Sequence, residues 1–206
     1  MKRQVVTCLL VIIGLADQET TTMKTISIAV LALAAAAFAV APNSGLKSGE
    51  RVVPFHPKHV VGALADTTNC FPCTFQNRPQ AQVWVNGDKF ENVLALAKSL
   101  DKAQITYKDS EFKSLIVFIV PADKQAEFGA KLKETAKADS LKHVSMAMVA
   151  PDHTAIESYK INMAGDVKNT VVLYKNWEVV TNIVNLKGDK AGLATLDKEV
   201  AKINAN

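Results

Sequence analysis

The chain has 206 residues, of which 49% are hydrophobic and 21% charged, and its formal net charge is +4. That composition excludes a disordered or fibrous protein and suits one domain with a proper core. Lysines and acids are interspersed, without a basic block or an aromatic-basic stripe, so no nucleic-acid partner is expected.

The first segment is read as a leader. Met23-Lys24 is followed by an apolar run from Ile26 to Leu33 and an alanine tract ending Ala37-Phe38-Ala39, which together make a charged start, a hydrophobic stretch and a small-x-small cleavage site. A second apolar run, 5–16, follows Lys2-Arg3 but is too short to span a bilayer. The expectation is a signal peptide starting at Met23 and cleaved near Ala39, giving a soluble secreted or periplasmic protein with no stable membrane span. Cleavage removes three basic and two acidic residues, taking the charge from +4 to +3, and it removes Cys8. Cys70 and Cys73 then remain as a lone pair where disulfides persist, so an internal disulfide is the expected state.

Residues 40–80 hold most of the prolines and several glycines with little periodicity, and are read as an irregular arm carrying the cysteines. Beyond them, 81–206 has the regular pattern of a folded domain. Residues 81–86 alternate as a strand, with Val83 and Val85 on one side and Trp84 on the other. Phe90, Val93, Leu94, Ala97 and Leu100 share one face of a helix over 89–103. The unbroken apolar run 115–120 predicts a strand buried on both faces. Pro121-Ala122-Asp123 opens a helix carrying Phe128, Leu132 and Ala136, which leads to a strand at 144–149 and a short helix around Ala155, Ile156 and Tyr159. Strands at 170–174 and 178–184 meet at a tight Lys175-Asn176-Trp177 turn, and a last helix from near Asp189 presents Leu193, Leu196, Val200 and Ile203. The order is β-α-β-α-β-α-β-β-α: an α/β, three-layer α/β/α domain with a mixed sheet closed by an antiparallel hairpin and a helix.

That order resembles the thioredoxin-like superfamily, and three stretches are similar to its peroxiredoxin and TlpA-like (redoxin) branch. They are "SGERVVPFHPKHVVG" at 48–62, "VAPDHTAIESYKI" at 149–161 and "NTVVLYKNWEVV" at 169–180. The resemblance implies thiol-disulfide chemistry without a bound cofactor, acting on protein thiols or disulfides. It also implies a reactive cysteine after the first core strand, at a helix N-terminus that lowers its pKa. Here that place reads Asn86-Gly87-Asp88-Lys89-Phe90-Glu91-Asn92, so a peroxiredoxin-type peroxidatic thiol is absent from the usual site. Asn169 stands where the resemblance implies a proline beside the redox disulfide.

The cysteine pair instead precedes the first domain strand, with seven residues between Cys73 and Ala81. Such a link reaches about 23 to 25 Å when extended, which favours a place near the opposite end of the sheet or along one edge. Three chemistries stay open for it. Cys70-Phe71-Pro72-Cys73 resembles the C-x-P-C disulfide of thioredoxins, with Cys70 attacking and Cys73 resolving the mixed disulfide. The pair could equally be a structural staple in a non-catalytic thioredoxin-fold binding module, whose face around Asn169 and Trp177 contacts another extracytoplasmic protein. Finally, His56 and His59 with Cys70 and Cys73 give H-x2-H-x10-C-x2-C, a donor set suited to zinc or copper. Haem attachment is excluded because Thr74 follows Cys73. No dinucleotide, P-loop, nucleophile-elbow or zincin motif occurs. His143 and His153 read as surface residues at element edges.

Overall fold

The computed structural model describes residues 42–205. The leader expected at 1–39 lies outside the described residues.

Six strands form a single sheet: β1 (Lys58–Val61), β2 (Gln80–Val85), β3 (Lys113–Ile119), β4 (Ser145–Val149), β5 (Asn169–Lys175) and β6 (Glu178–Val184). Their spatial order is β1-β4-β3-β2-β5-β6. β2, β3 and β4 are parallel neighbours, and β5, β6 and β1 run antiparallel to theirs. The helices are α1 (Phe71–Phe75), α2 (Phe90–Thr106), α3 (Gln125–Ala138), α4 (Thr154–Ser158) and α5 (Lys190–Asn204), with a 3-10 turn at Ala122–Lys124 leading into α3.

Strand periodicity sorts the core into two halves. Met146, Ile116, Val83, Val171 and Ile183 lie opposite one another across successive strands and pack under α2, α3 and α5. On the other face, Ala147, Val117, Trp84 and Val172 are covered by α4, α1 and the arm, which supplies Leu46, Val52 and Phe55. Trp84 is fully buried there, its ring 5.1 Å from Phe55 and 4.9 Å from Tyr159. The result is the expected three-layer mixed α/β architecture with a closing hairpin and helix.

The stretch 40–80 is more ordered than its composition suggests, since it contains an edge strand and a helical turn. β1 escapes a periodicity search because it has four residues and its inward positions include a histidine, His59, which is 1% exposed. α1 is a single turn with Pro72 in its first positions, where a fixed φ suits the helix and no N–H is lost from the ladder.

The β5–β6 turn has positive φ at both Asn176 (55°) and Trp177 (67°), the backbone that matches strand twist in a two-residue hairpin. Asn tolerates this conformation; Trp177 is held in it by packing on the second core half and by the bond from Val52 N–H to its carbonyl (2.9 Å). His153 caps α4, its Nδ1 accepting the N–H of Ala155 at 3.1 Å.

Candidate functional site

Cys70 and Cys73 are joined by a disulfide, with their Cα atoms 5.2 Å apart. Cys70 is the N-cap of α1, and its Sγ accepts the N–H of Cys73 at 3.2 Å. Its carbonyl receives Thr74 N–H (3.0 Å) and Thr74 Oγ1 (2.9 Å). The two cysteines differ in burial: Cys70 is 6% exposed, whereas Cys73 is an exposed residue.

Three contacts hold this turn on the sheet. Phe71 is fully buried and meets Phe75 edge-on at 4.7 Å. Gln80 Nε2 donates to the carbonyl of Gln76, the C-cap of α1, at 2.9 Å. Behind it runs a buried relay in which Tyr174 Oη donates to Gln80 Oε1 (2.7 Å), Gln82 Nε2 donates to Tyr174 Oη (2.8 Å) and Trp84 Nε1 donates to Gln82 Oε1 (3.2 Å). Burial pushes the Tyr174 hydroxyl well above its ordinary pKa, so it serves as a neutral donor and acceptor.

The third contact is His59. Its ring stacks on Phe71 (6.2 Å between centroids), and its Nε2 lies 3.0 Å from the carbonyl of Asn69. A carbonyl only accepts, so Nε2 carries the proton. Nδ1 is then a bare, buried lone pair with no hydrogen-bond partner among the described residues. Burial lowers the His59 pKa from 6.5, outweighing the bond to Asn69, and keeps the ring neutral. His59 thus grips the residues on either side of Cys70. His56, exposed, lies 3.0 Å from the carbonyl of Thr68 through Nδ1.

The zinc or copper set does not assemble. Among the described residues no group of three or more His, Cys, Asp or Glu side chains converges, and the two cysteines are spent on each other. The reason lies in where the two rings go: His56, just before β1, is exposed and His59, within it, is buried, and each has a ring nitrogen on a different backbone carbonyl.

At the far end of β2 a different arrangement occupies the loop before α2. Asp88 Oδ2 accepts from Asn169 Nδ2 (2.6 Å) and Asn92 Nδ2 (2.7 Å), and Oδ1 from Lys89 N–H (2.7 Å). Asn169 also donates to the carbonyl of Leu186 (2.9 Å) and accepts its N–H (2.9 Å). Asn169 is 1% exposed, so its side chain offers nothing to a partner. Sequence reasoning did not foresee this carboxylate-amide cluster; an Asp and two Asn residues far apart in sequence carry no spacing signal.

The strand order, with a parallel β2–β3 pair extended by the antiparallel β5–β6 hairpin, is thioredoxin-like, and solved structures agree. One neighbour is an uncharacterized conserved protein from Geobacillus kaustophilus, with a TM-score of 0.57 and 8% identity over 76% of this chain and 82% of that one. Another is a candidate thiol:disulfide interchange protein DsbE from Chlorobium tepidum, at 0.56 and 12% over 78% and 99%. A thiol peroxidase from Chromobacterium violaceum gives 0.53 and 10% over 78% and 89%. No protein-family model matches the chain, and no curated protein does. The chain therefore has a thioredoxin-like fold and carries its own disulfide on the turn before β2.

Proposed function

We propose that the protein is an extracytoplasmic thiol-disulfide oxidoreductase working through Cys70 and Cys73. The observation that carries this reading is the asymmetry of the pair: Cys73 is an exposed residue while Cys70 is buried and its sulfur already accepts a backbone N–H. That is the layout disulfide exchange needs, with one atom accessible to attack and a stabilised leaving group.

On this reading the roles run in the reverse of the sequence expectation. A partner thiolate attacks Cys73 Sγ, the Cys70–Cys73 bond breaks, and its electron pair stays on Cys70 Sγ as a thiolate facing the N–H of Cys73. The partner is then linked to Cys73 as a mixed disulfide. A second partner thiolate attacks the partner's own sulfur in that bond, releasing the oxidised partner and leaving Cys73 as a thiolate. Run backwards, the same steps deliver a dithiol to an oxidised partner, with Cys73 as the attacking sulfur.

A purely structural staple fits less well. Closing so short a loop removes little freedom from the unfolded chain, on the order of 2 kcal/mol, and the turn is already held by Phe71, Gln80 and His59. Support for the compartment comes from the leader-like segment, from the disulfide and from the DsbE-type neighbour. Among the described residues no helix is long and apolar enough to cross a membrane. The protein thiols or disulfides it would meet are those of secreted or periplasmic proteins.

Single-cysteine variants test the roles. Cys70→Ser, which keeps Cys73, is expected to trap a mixed disulfide with a thiol-bearing peptide activated as its nitrobenzoate disulfide. Cys73→Ser, which keeps the buried Cys70, should trap it far more slowly. Equal trapping, or faster trapping at Cys70, contradicts the assignment.

A further inference from the structure

Below α1, at the end of the sheet where β3 and β4 begin, lies a pocket of about 400 Å³ whose charged groups are all basic. Phe75, the last residue of α1, forms one wall; Lys113, Lys142 and His143 line the pocket together with uncharged Gln104, Ser145, Gly62 and Ala63, and no carboxylate does. Lys113 Nζ sits 5.5 Å from the centre of the Phe75 ring. Neither lysine is in an ion pair among the described residues.

Two acids close by in sequence already have partners, although Glu111 also feels the charge of Lys113. Glu111 is held by Arg78, at 3.0 Å to Nε and 3.2 Å to Nη2. Asp101 Oδ1 collects the N–H groups of Lys142, His143 and Val144 at 3.0, 2.6 and 2.9 Å, which fixes the backbone beneath the pocket and leaves the exposed Lys142 and His143 side chains outside. Gly62 closes in on the start of β4: with φ +92° it leaves no room for a Cβ, which would lie 2.4 Å from Ser145 Oγ. The pocket is therefore a shaped recess whose two lysines form no ion pair among the described residues, and its aromatic wall, Phe75, stands on the same short helix as Cys73.

We infer that this pocket takes an acidic segment of the protein whose thiol or disulfide reacts at Cys73. The inference rests on the exchange reading and supplies its substrate preference. Three cationic or imidazole groups beside one aromatic wall match one or two carboxylates on a peptide. A polyanion such as nucleic acid calls for a track of charges along its backbone, which the interspersed surface lacks.

The test compares exchange of the oxidised protein with two synthetic peptides, Glu-Glu-Cys-Glu-Glu and Lys-Lys-Cys-Lys-Lys, each corrected for its own thiol ionisation. At low salt the acidic peptide is expected to react faster, on the order of tenfold. The gap should close in high salt, and Lys113→Glu/Lys142→Glu should abolish or reverse it. Lys142→Glu alone, a change on an exposed side chain, should narrow it. Lys168→Glu/Lys187→Glu makes the same charge change at the opposite end of the sheet and should preserve it. Equal rates for the two peptides, or equal loss in the remote variant, overturns the pocket while leaving exchange intact. Binding of the serine version of the acidic peptide, followed by fluorescence anisotropy, separates the readings. If it depends on Lys113 and Lys142 while neither thiol peptide exchanges, the pocket stands and the oxidoreductase reading falls. Absence of binding together with absence of exchange overturns both.

Discussion

Asn169 Nδ2 donates to Asp88 Oδ2 at 2.6 Å, tying the first residue of β5 to the loop that follows β2. Because Asn169 also exchanges both of its bonds with the Leu186 backbone, it stitches three segments at the end of the sheet remote from the disulfide. Asn169→Ala leaves the Leu186 N–H unpaired in a buried place and takes one of two donors from its carbonyl, which keeps Asn92 Nδ2, at a cost of about 1–3 kcal/mol. Urea unfolding should show that loss, with the reduction potential of Cys70/Cys73 unchanged. A shift in potential without a stability change would mean that the two ends of the sheet are coupled.

His59 makes stability depend on pH. Its folded pKa lies below the ordinary 6.5, so the unfolded chain binds the proton more readily. By linkage its neutral, buried state contributes fully above about pH 6.5, and stability falls as pH drops from there toward the folded value. His59→Gln keeps a donor in reach of the Asn69 carbonyl and removes the titration. Unfolding midpoints measured from pH 8 to pH 5 should therefore slope less in the variant. An unchanged slope would assign the effect to other groups.

How far the sequence could be read follows from the size of its signals. Helices α2, α3 and α5 and the strands of the sheet centre showed themselves because each repeats an apolar pattern over several residues, and Leu100, Leu132 and Leu196 are indeed fully buried. β1 and α1 did not, since four or five residues hold too few repeats and since His59 occupies a buried position in β1 normally filled by an apolar residue. The cysteine pair was legible by its spacing. Which cysteine is exposed was not, because it depends on how Phe71 and Phe75 turn α1 onto the sheet. The metal set had acceptable spacing, but His56 and His59 are spent on two different backbone carbonyls and the cysteines on each other.

Removing the disulfide should cost little stability. In Cys70→Ser/Cys73→Ser the turn keeps Phe71 in the core and Gln80 on its C-cap, so the loss is expected to be no more than about 2 kcal/mol. Phe71→Ala should cost more, about 3–5 kcal/mol, because it empties a fully buried site. Denaturant titrations of both variants decide the order; a larger loss from the double serine variant would favour a staple.

Tyr174 is predicted to matter through its hydroxyl alone. Tyr174→Phe leaves Gln80 Oε1 without its donor and Gln82 Nε2 without its closer acceptor, costing about 1–3 kcal/mol with the ring still in place. Since Gln80 also holds the end of α1, amide exchange at Gln76 should accelerate in the same variant. Unaltered protection there would separate the relay from the disulfide turn.

The reduction potential of Cys70/Cys73 tests the central claim most directly, measured by equilibrating residues 40–206 in thiol buffers and reading the alkylated fraction by mass. An exchanging pair is expected between about −270 and −120 mV. A potential below about −300 mV would mark a bond built to resist reduction and would contradict the oxidoreductase assignment.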